Sequence, residues 1–152
     1  MFNIVLYKPE IPPNTGNISR LCVGVGASLH IVGTPAFDIS EKAVKRAGLD
    51  YWNELDLILH NDWEAFLKTV ANPERIFLIT KFGKTLYSSV PFQKSDYLVF
   101  GSETSGLPES IKENSPESNK LYLPMLAVSR SINLSNTVAV LVYEGIRQIG
   151  LK

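Results

Sequence analysis

Three short polar clusters hold most of the side chains in this sequence that could do chemistry. The first, NTGNISR, sets the amide of Asn14 ahead of the guanidinium of Arg20. The second, FGSETSGLP from Phe100 to Pro108, carries one carboxylate, Glu103, among serines and glycines. The third, LPMLAVSRSINLSN from Leu123 to Asn136, is rich in Ser and Asn. Plain readings exist for the first two. Asn14 or Thr15 can cap a helix with Arg20 solvated on its first turn, and Ser105-Gly106 can turn the chain toward Pro108 at a helix start. A helix cap drawn from Ser131, Asn133 or Ser135 explains one residue of the third cluster and leaves the others without a role. Short polar side chains and free backbone amides there suit a nucleoside-like ligand, with Leu123, Pro124 and Met125 as an apolar wall for a base.

Several familiar chemistries need residues or spacings that this sequence lacks. A dinucleotide fingerprint would place GxGxxG after the first strand, where Lys8 to Asn17 instead reads KPEIPPNTGN. No P-loop is present. GSETSG is not a GxSxG elbow, because a Ser105 centre would need glycines where Glu103 and Leu107 stand. His30 and His60 lie far apart in sequence with no companion Cys or HExxH, so no metal site is expected, and His30 reads as a strand residue with a satisfied ring nitrogen. Cys22, the single cysteine, permits no intrachain disulfide and suits a reducing compartment. It shares an apolar helical spacing with Ile18, Leu21 and Val25, which points to packing.

The elements that must position these clusters alternate along the chain. Phe2 to Tyr7 reads as a strand, followed by a proline-rich loop and a helix over about 17–25 that Gly26 stops. Leu29 to Val32 is a second strand, Ser40 to Ala47 a short helix ended by Gly48, and Leu55 to Leu59 a third strand. Asn61 with Glu64 resembles a capping box for the helix WEAFLKTVA, which Asn72-Pro73 closes. Arg75 to Thr80 and Tyr97 to Phe100 are almost wholly apolar, as strands covered on both faces are. Pro108 opens a helix to about Lys112, Leu121 to Leu123 is a strand, and a long helix begins at Leu134 or Ser135. Its stripe of Leu134, Val138, Leu141, Val142 and Ile149 is longer than a small domain needs for itself, which suggests a second copy. The pattern implies an α/β fold with a mostly parallel sheet and helices on both faces. All three polar clusters then fall in loops at strand ends, where open α/β sheets bind ligands.

At 152 residues, with 45% hydrophobic and 20% charged residues, the composition is that of one soluble globular domain spanning 1–152. Fifteen basic and fifteen acidic residues leave no net charge to draw in nucleic acid or membrane. Any RNA must be held by local patches such as Lys42, Lys45 and Arg46, near Tyr51 and Trp52, although such charges also suit a merely solvated helix face. No signal peptide or membrane span is expected, and the cytoplasm is the default location.

The three clusters in this order, with the IVLYKPEIPPNTGNISRLC start and the VAVLVYEGIRQIG end, resemble the small SPOUT-superfamily RNA 2′-O-ribose methyltransferases. The resemblance covers essentially the whole chain and is nearest to the group that modifies the wobble nucleotide of tRNA, a cytidine or modified uridine. It implies a C-terminal trefoil knot, a homodimer, S-adenosylmethionine as cofactor without metal, and a tRNA anticodon stem-loop as partner. By position, Asn14, Arg20, Glu103, Ser131 and Asn133 match the family's functional residues. Ile79, Thr80, Gly101, Leu123 and again Ser131 match its cofactor contacts. Ser102 and Ser105 depart from it, standing where close relatives often have Pro and Arg. In-line methyl transfer asks a protein mainly to position its partners and stabilise an emerging alkoxide, which suits Arg20 better than proton abstraction would. Glu103 is expected to orient Arg20 or a loop amide, and Asn14 to hold the ribose or the loop. Another tRNA or ribosomal RNA site, or a silent RNA- or cofactor-binding module, are the alternatives.

Overall fold

The computed structural model describes residues 1–46 and 50–151. Seven strands make one sheet in the order β3-β2-β1-β6-β4-β7-β5, and every pairing is parallel. The elements run β1 (Asn3–Tyr7), α1 (Pro12–Val25), β2 (Ser28–Val32), α2 (Glu41–Arg46), a 3-10 turn (Asp50–Glu54), β3 (Leu57–His60) and α3 (Trp63–Leu67). They continue with β4 (Ile76–Ile79), β5 (Thr85–Leu86), β6 (Tyr97–Phe100), α4 (Glu109–Glu113), β7 (Lys120–Tyr122) and α5 (Leu134–Ile149).

Strand residues alternate between two apolar layers, as a period of two requires. Ile4, Leu6, Leu29, Phe77, Leu98, Phe100 and Leu121 face Ile18 and Cys22 of α1 and Val138, Leu141 and Val142 of α5. Val5, Val32, Leu78 and Val99 face the other way, toward Phe66 of α3, Ile111 of α4 and Leu107 just before it. Both faces are therefore covered, which is why the strand sequences contain so few polar residues. The stripe on α5 is used up inside the chain: Val138, Leu141 and Val142 have no exposed surface. Leu134 and Ile149 of the stripe are partly buried against the same layer.

Several boundaries differ from the sequence expectation for identifiable reasons. Helix α1 begins at Pro12, not near 17, because prolines fit the first turn, where an N–H would have no partner anyway. Gly26 ends it in the left-handed conformation (φ 67°), as expected. The cap of α3 is Asp62, whose carboxylate accepts from the Ala65 amide, not Asn61, and the helix stops at Leu67. Asn72-Pro73 instead opens a 3-10 turn. Strand β5 went unforeseen, since two residues carry no period. The expected end of α2 at Ala47-Gly48 lies outside the described residues.

His30 and His60, far apart in sequence, meet on adjoining strands with Nδ1 of His30 2.9 Å from Nε2 of His60 and the ring planes parallel to within 3°. The Asn3 amide nitrogen donates to the Ser95 carbonyl, so its oxygen, 3.2 Å from His30 Nε2, must accept. That leaves His30 protonated on Nε2 and accepting on Nδ1 from His60. Among the described residues, no three His, Cys, Asp or Glu side chains gather as a metal site would require.

Candidate active site

The strand order reverses direction between β1 and β6. β1 is followed outward on one side by β2 and β3, while β6 is followed on the other by β4 and β7. Leu6 pairs with Phe100, so the loops leaving β1 and β6 emerge side by side at the carboxyl edge of the sheet. This is the place in an open α/β sheet where a crevice forms. It brings the first polar cluster against the second.

Helix α1 opens with Ile11 as its cap residue, a side chain with no hydrogen bond to offer, and has no acidic residue in its first turn. Glu103 supplies what is missing from the far end of the sequence. Its Oε2 accepts from the Glu10 amide at 2.8 Å, and its Oε1 from the Ile11 amide at 3.0 Å and from Asn14 Nδ2 at 3.2 Å. A carboxylate at the positive end of a 14-residue helix is electrostatically favoured as well. The Glu10 carboxylate in turn accepts from the Thr104 hydroxyl, a second tie between the same two loops.

The third cluster joins through one more amide. Asn133 Nδ2 donates to Asn14 Oδ1 at 3.0 Å, and Asn133 Oδ1 accepts from the amides of Ser135 (2.9 Å) and Asn136 (3.3 Å), capping α5. The polarity of this chain is fixed at both ends. A carboxylate only accepts, so Asn14 must turn its nitrogen to Glu103 and its oxygen to Asn133. Asn133 must then donate to Asn14 with its nitrogen, leaving its oxygen for the helix amides. Asn14 is buried, Glu103 half-buried, and Asn133 sits at the open end.

The loop after β6 is held tightly. Ser102 and Ser105 share a hydroxyl hydrogen bond of 2.7 Å, and the Gly106 amide donates to the Ser102 carbonyl. A Cβ on Gly101 would lie 2.2 Å from the Gly106 carbonyl carbon, so no side chain fits there. On the other side, β4 ends at Ile79, and the Thr80 amide donates to the Leu121 carbonyl at 2.9 Å, pinning that loop to β7. Leu123 follows β7, half-buried, and begins an irregular segment that lasts until α5. Gly101, Thr80 and Leu123 thus open loops from three neighbouring strands at one edge.

Arg20 and Ser131 stand apart from the hydrogen-bonded chain. Ser131 is exposed, and its carbonyl accepts from Ser129 Oγ at 3.3 Å. Arg20 is exposed on α1, with its guanidinium 5.3 Å from the centre of the Tyr51 ring. Glu103 therefore orients the loop amides and Asn14, and not Arg20. Sequence reasoning placed Tyr51 beside a basic patch and missed its contact with Arg20. Only its aromatic character, a surface for a cation, could have hinted at it. Lys42, Lys45 and Arg46 of α2 line an open groove with Ser40.

The model of the SpoU rRNA methylase family matches residues 1–143. The chain belongs to that family. A relative from Escherichia coli strain K12, a tRNA (cytidine(34)-2′-O)-methyltransferase, is 51% identical over 150 residues, covering 99% of this SpoU-family chain and 95% of the relative. A structure solved to give insight into the 2-OH methylation of C/U34 on tRNA superposes with a TM-score of 0.90 at 39% identity, covering 100% of this chain and 98% of that one. The SpoU methyltransferase AviRb from Streptomyces viridochromogenes, solved in complex with AdoMet, shares the fold at a TM-score of 0.79 and 23% identity, over 97% of this chain and 60% of its own.

Proposed function

We propose that this SpoU-family chain transfers the methyl group of S-adenosylmethionine to the ribose 2′-OH of the wobble nucleotide of tRNA, cytidine-34 or a modified uridine-34. The reading is carried by end-to-end identity of 51% with a tRNA (cytidine(34)-2′-O)-methyltransferase. The geometry agrees with it, since one hydrogen-bonded chain unites the three clusters beside the switch point.

The loops after β4, β6 and β7 suit an adenosyl ligand. They offer backbone groups at the ends of parallel strands, with Ile79 and Leu123 as half-buried apolar surface beside them. In this reading Ile79, Thr80, Gly101, Leu123 and Ser131 hold the cofactor, largely through the backbone. When bound, S-adenosylmethionine supplies a methyl group on a sulfonium that is already a good leaving group. The protein's task is then alignment and charge. The guanidinium of Arg20 donates to the 2′-oxygen as its negative charge grows and to the adjacent phosphate, while the hydroxyl proton leaves to water. Asn14, Glu103 and Asn133 fix the floor of the crevice against which the ribose is placed.

The working unit in this reading is one methyltransferase domain, knotted at its C-terminal segment and paired as a homodimer in the cytoplasm. β7 lies between β4 and β5, which are consecutive in sequence, an order consistent with a threaded chain. Leu126 and Val128, 79% and 91% exposed beside the site, and Val140 and Tyr143 on the outer side of α5 are the apolar surface a second copy would cover. No helix among the described residues is long and apolar enough to cross a membrane. RNA is held by the Lys42, Lys45 and Arg46 groove, with the anticodon loop presenting splayed bases. Incubation with labelled S-adenosylmethionine and total tRNA tests the reading: label enters tRNA without added metal, and its failure to do so with folded protein contradicts it.

A further inference from the structure

Tyr51 belongs to the 3-10 turn Asp50–Glu54, which packs on α1. Its hydroxyl donates to the Gly16 carbonyl at 2.9 Å, one helical turn before Arg20, and its ring lies under the Arg20 guanidinium. The side chain thus has two attachments on the same turn of α1: one fixes the ring, and the ring then offers a flat surface to the cation. An exposed arginine left to itself samples many rotamers. Stacking on an anchored ring narrows them.

We propose that Tyr51 is the positioning residue for Arg20, holding its guanidinium in one orientation while touching neither the RNA nor the cofactor. The proposal rests on Arg20 being the group that stabilises the 2′-oxygen. Burial pushes the Tyr51 phenol above its usual range, against the opposing Arg20 charge and the hydrogen bond Arg20 makes to it. The phenol therefore stays neutral and keeps its hydrogen for Gly16. A group that must meet a growing charge within a fraction of an ångström gains rate from such fixing, not affinity.

The test is a mutant cycle read by single-turnover methylation at saturating tRNA, with S-adenosylhomocysteine affinity and thermal midpoint measured alongside. Tyr51→Leu, which removes the ring, should lower the rate about tenfold and leave cofactor affinity within about twofold. Tyr51→Phe keeps the ring and loses the phenol's bonds to Gly16 and to Arg20, so it should lower the rate about threefold. Neither change should lower the rate further in an Arg20→Ala background, because the group being positioned is gone. A wild-type rate for Tyr51→Leu, or an equal loss with and without Arg20, overturns the proposal. Should Tyr51→Leu fail to fold, the Tyr51→Phe cycle decides alone: loss with Arg20 and none without it supports positioning, and equal loss in both refutes it. Arg20→Ala at the wild-type rate would instead remove the reading of Arg20 itself, a result distinguishable from either.

Discussion

Asn133 does two jobs with one amide: its oxygen caps α5, and its nitrogen donates to Asn14. Asn133→Asp keeps the cap and removes the donor, setting a carboxylate against the Asn14 oxygen. Its expected signature is a thermal midpoint close to wild type with turnover lowered at least about tenfold, measured by unfolding and methylation assays on the same sample. Arg20→Ala should lower single-turnover methylation about 100-fold or more while S-adenosylhomocysteine binding, followed by calorimetry, hardly changes. A surface arginine with no part in the reaction would move stability by no more than about 0.5 kcal/mol and leave the rate alone. Asn14, Glu103 and Asn133 were legible in the sequence through the family resemblance, since by type and spacing alone Asn14 also reads as a helix cap and the Glu103 loop as a glycine turn. The partners of Glu103 were not, since they are backbone amides 92 and 93 residues away, and neither was Tyr51, which reaches Arg20 only through tertiary packing.

Strands β1, β4 and β6 were readable as apolar runs because both of their faces are covered. The start of α1 was not, because its prolines read as a loop until Glu103 is seen holding the amides before them. The edge strand β3 and its neighbour β2 carry a pH-sensitive feature in the His30–His60 pair. Burial first, and then the neighbouring His60, push His30 from 6.5 down to about 4, with Asp56 opposing; burial lowers His60 as well. Between those values the unfolded chain binds protons that the folded one refuses, so this contribution to stability is present above pH 6.5 and is lost as pH falls toward 4. The thermal midpoint should therefore drop steeply over that window, and His30→Phe should flatten the drop. Equal slopes in the two proteins would show that the pair does not titrate as a unit of the fold.

At the scale of the whole molecule, zero net charge leaves recognition to local surfaces, and the sheet order places the crevice at one edge. In the proposed dimer, the covered surface is the exposed Leu126, Val128, Val140 and Tyr143. Sedimentation at micromolar concentration should give about twice 16.9 kDa. Val128→Glu with Tyr143→Glu should give the monomer, and a fully active monomer would show that one copy holds a complete site. The central claim is the position and chemistry of the product. The decisive measurement is to methylate unmodified tRNA with labelled S-adenosylmethionine, digest it and locate the label by mass. The account predicts one methyl group on the ribose of nucleotide 34, recognised by resistance of the following phosphodiester to alkali. A methyl group on a base, or on the ribose of any other nucleotide, would contradict it.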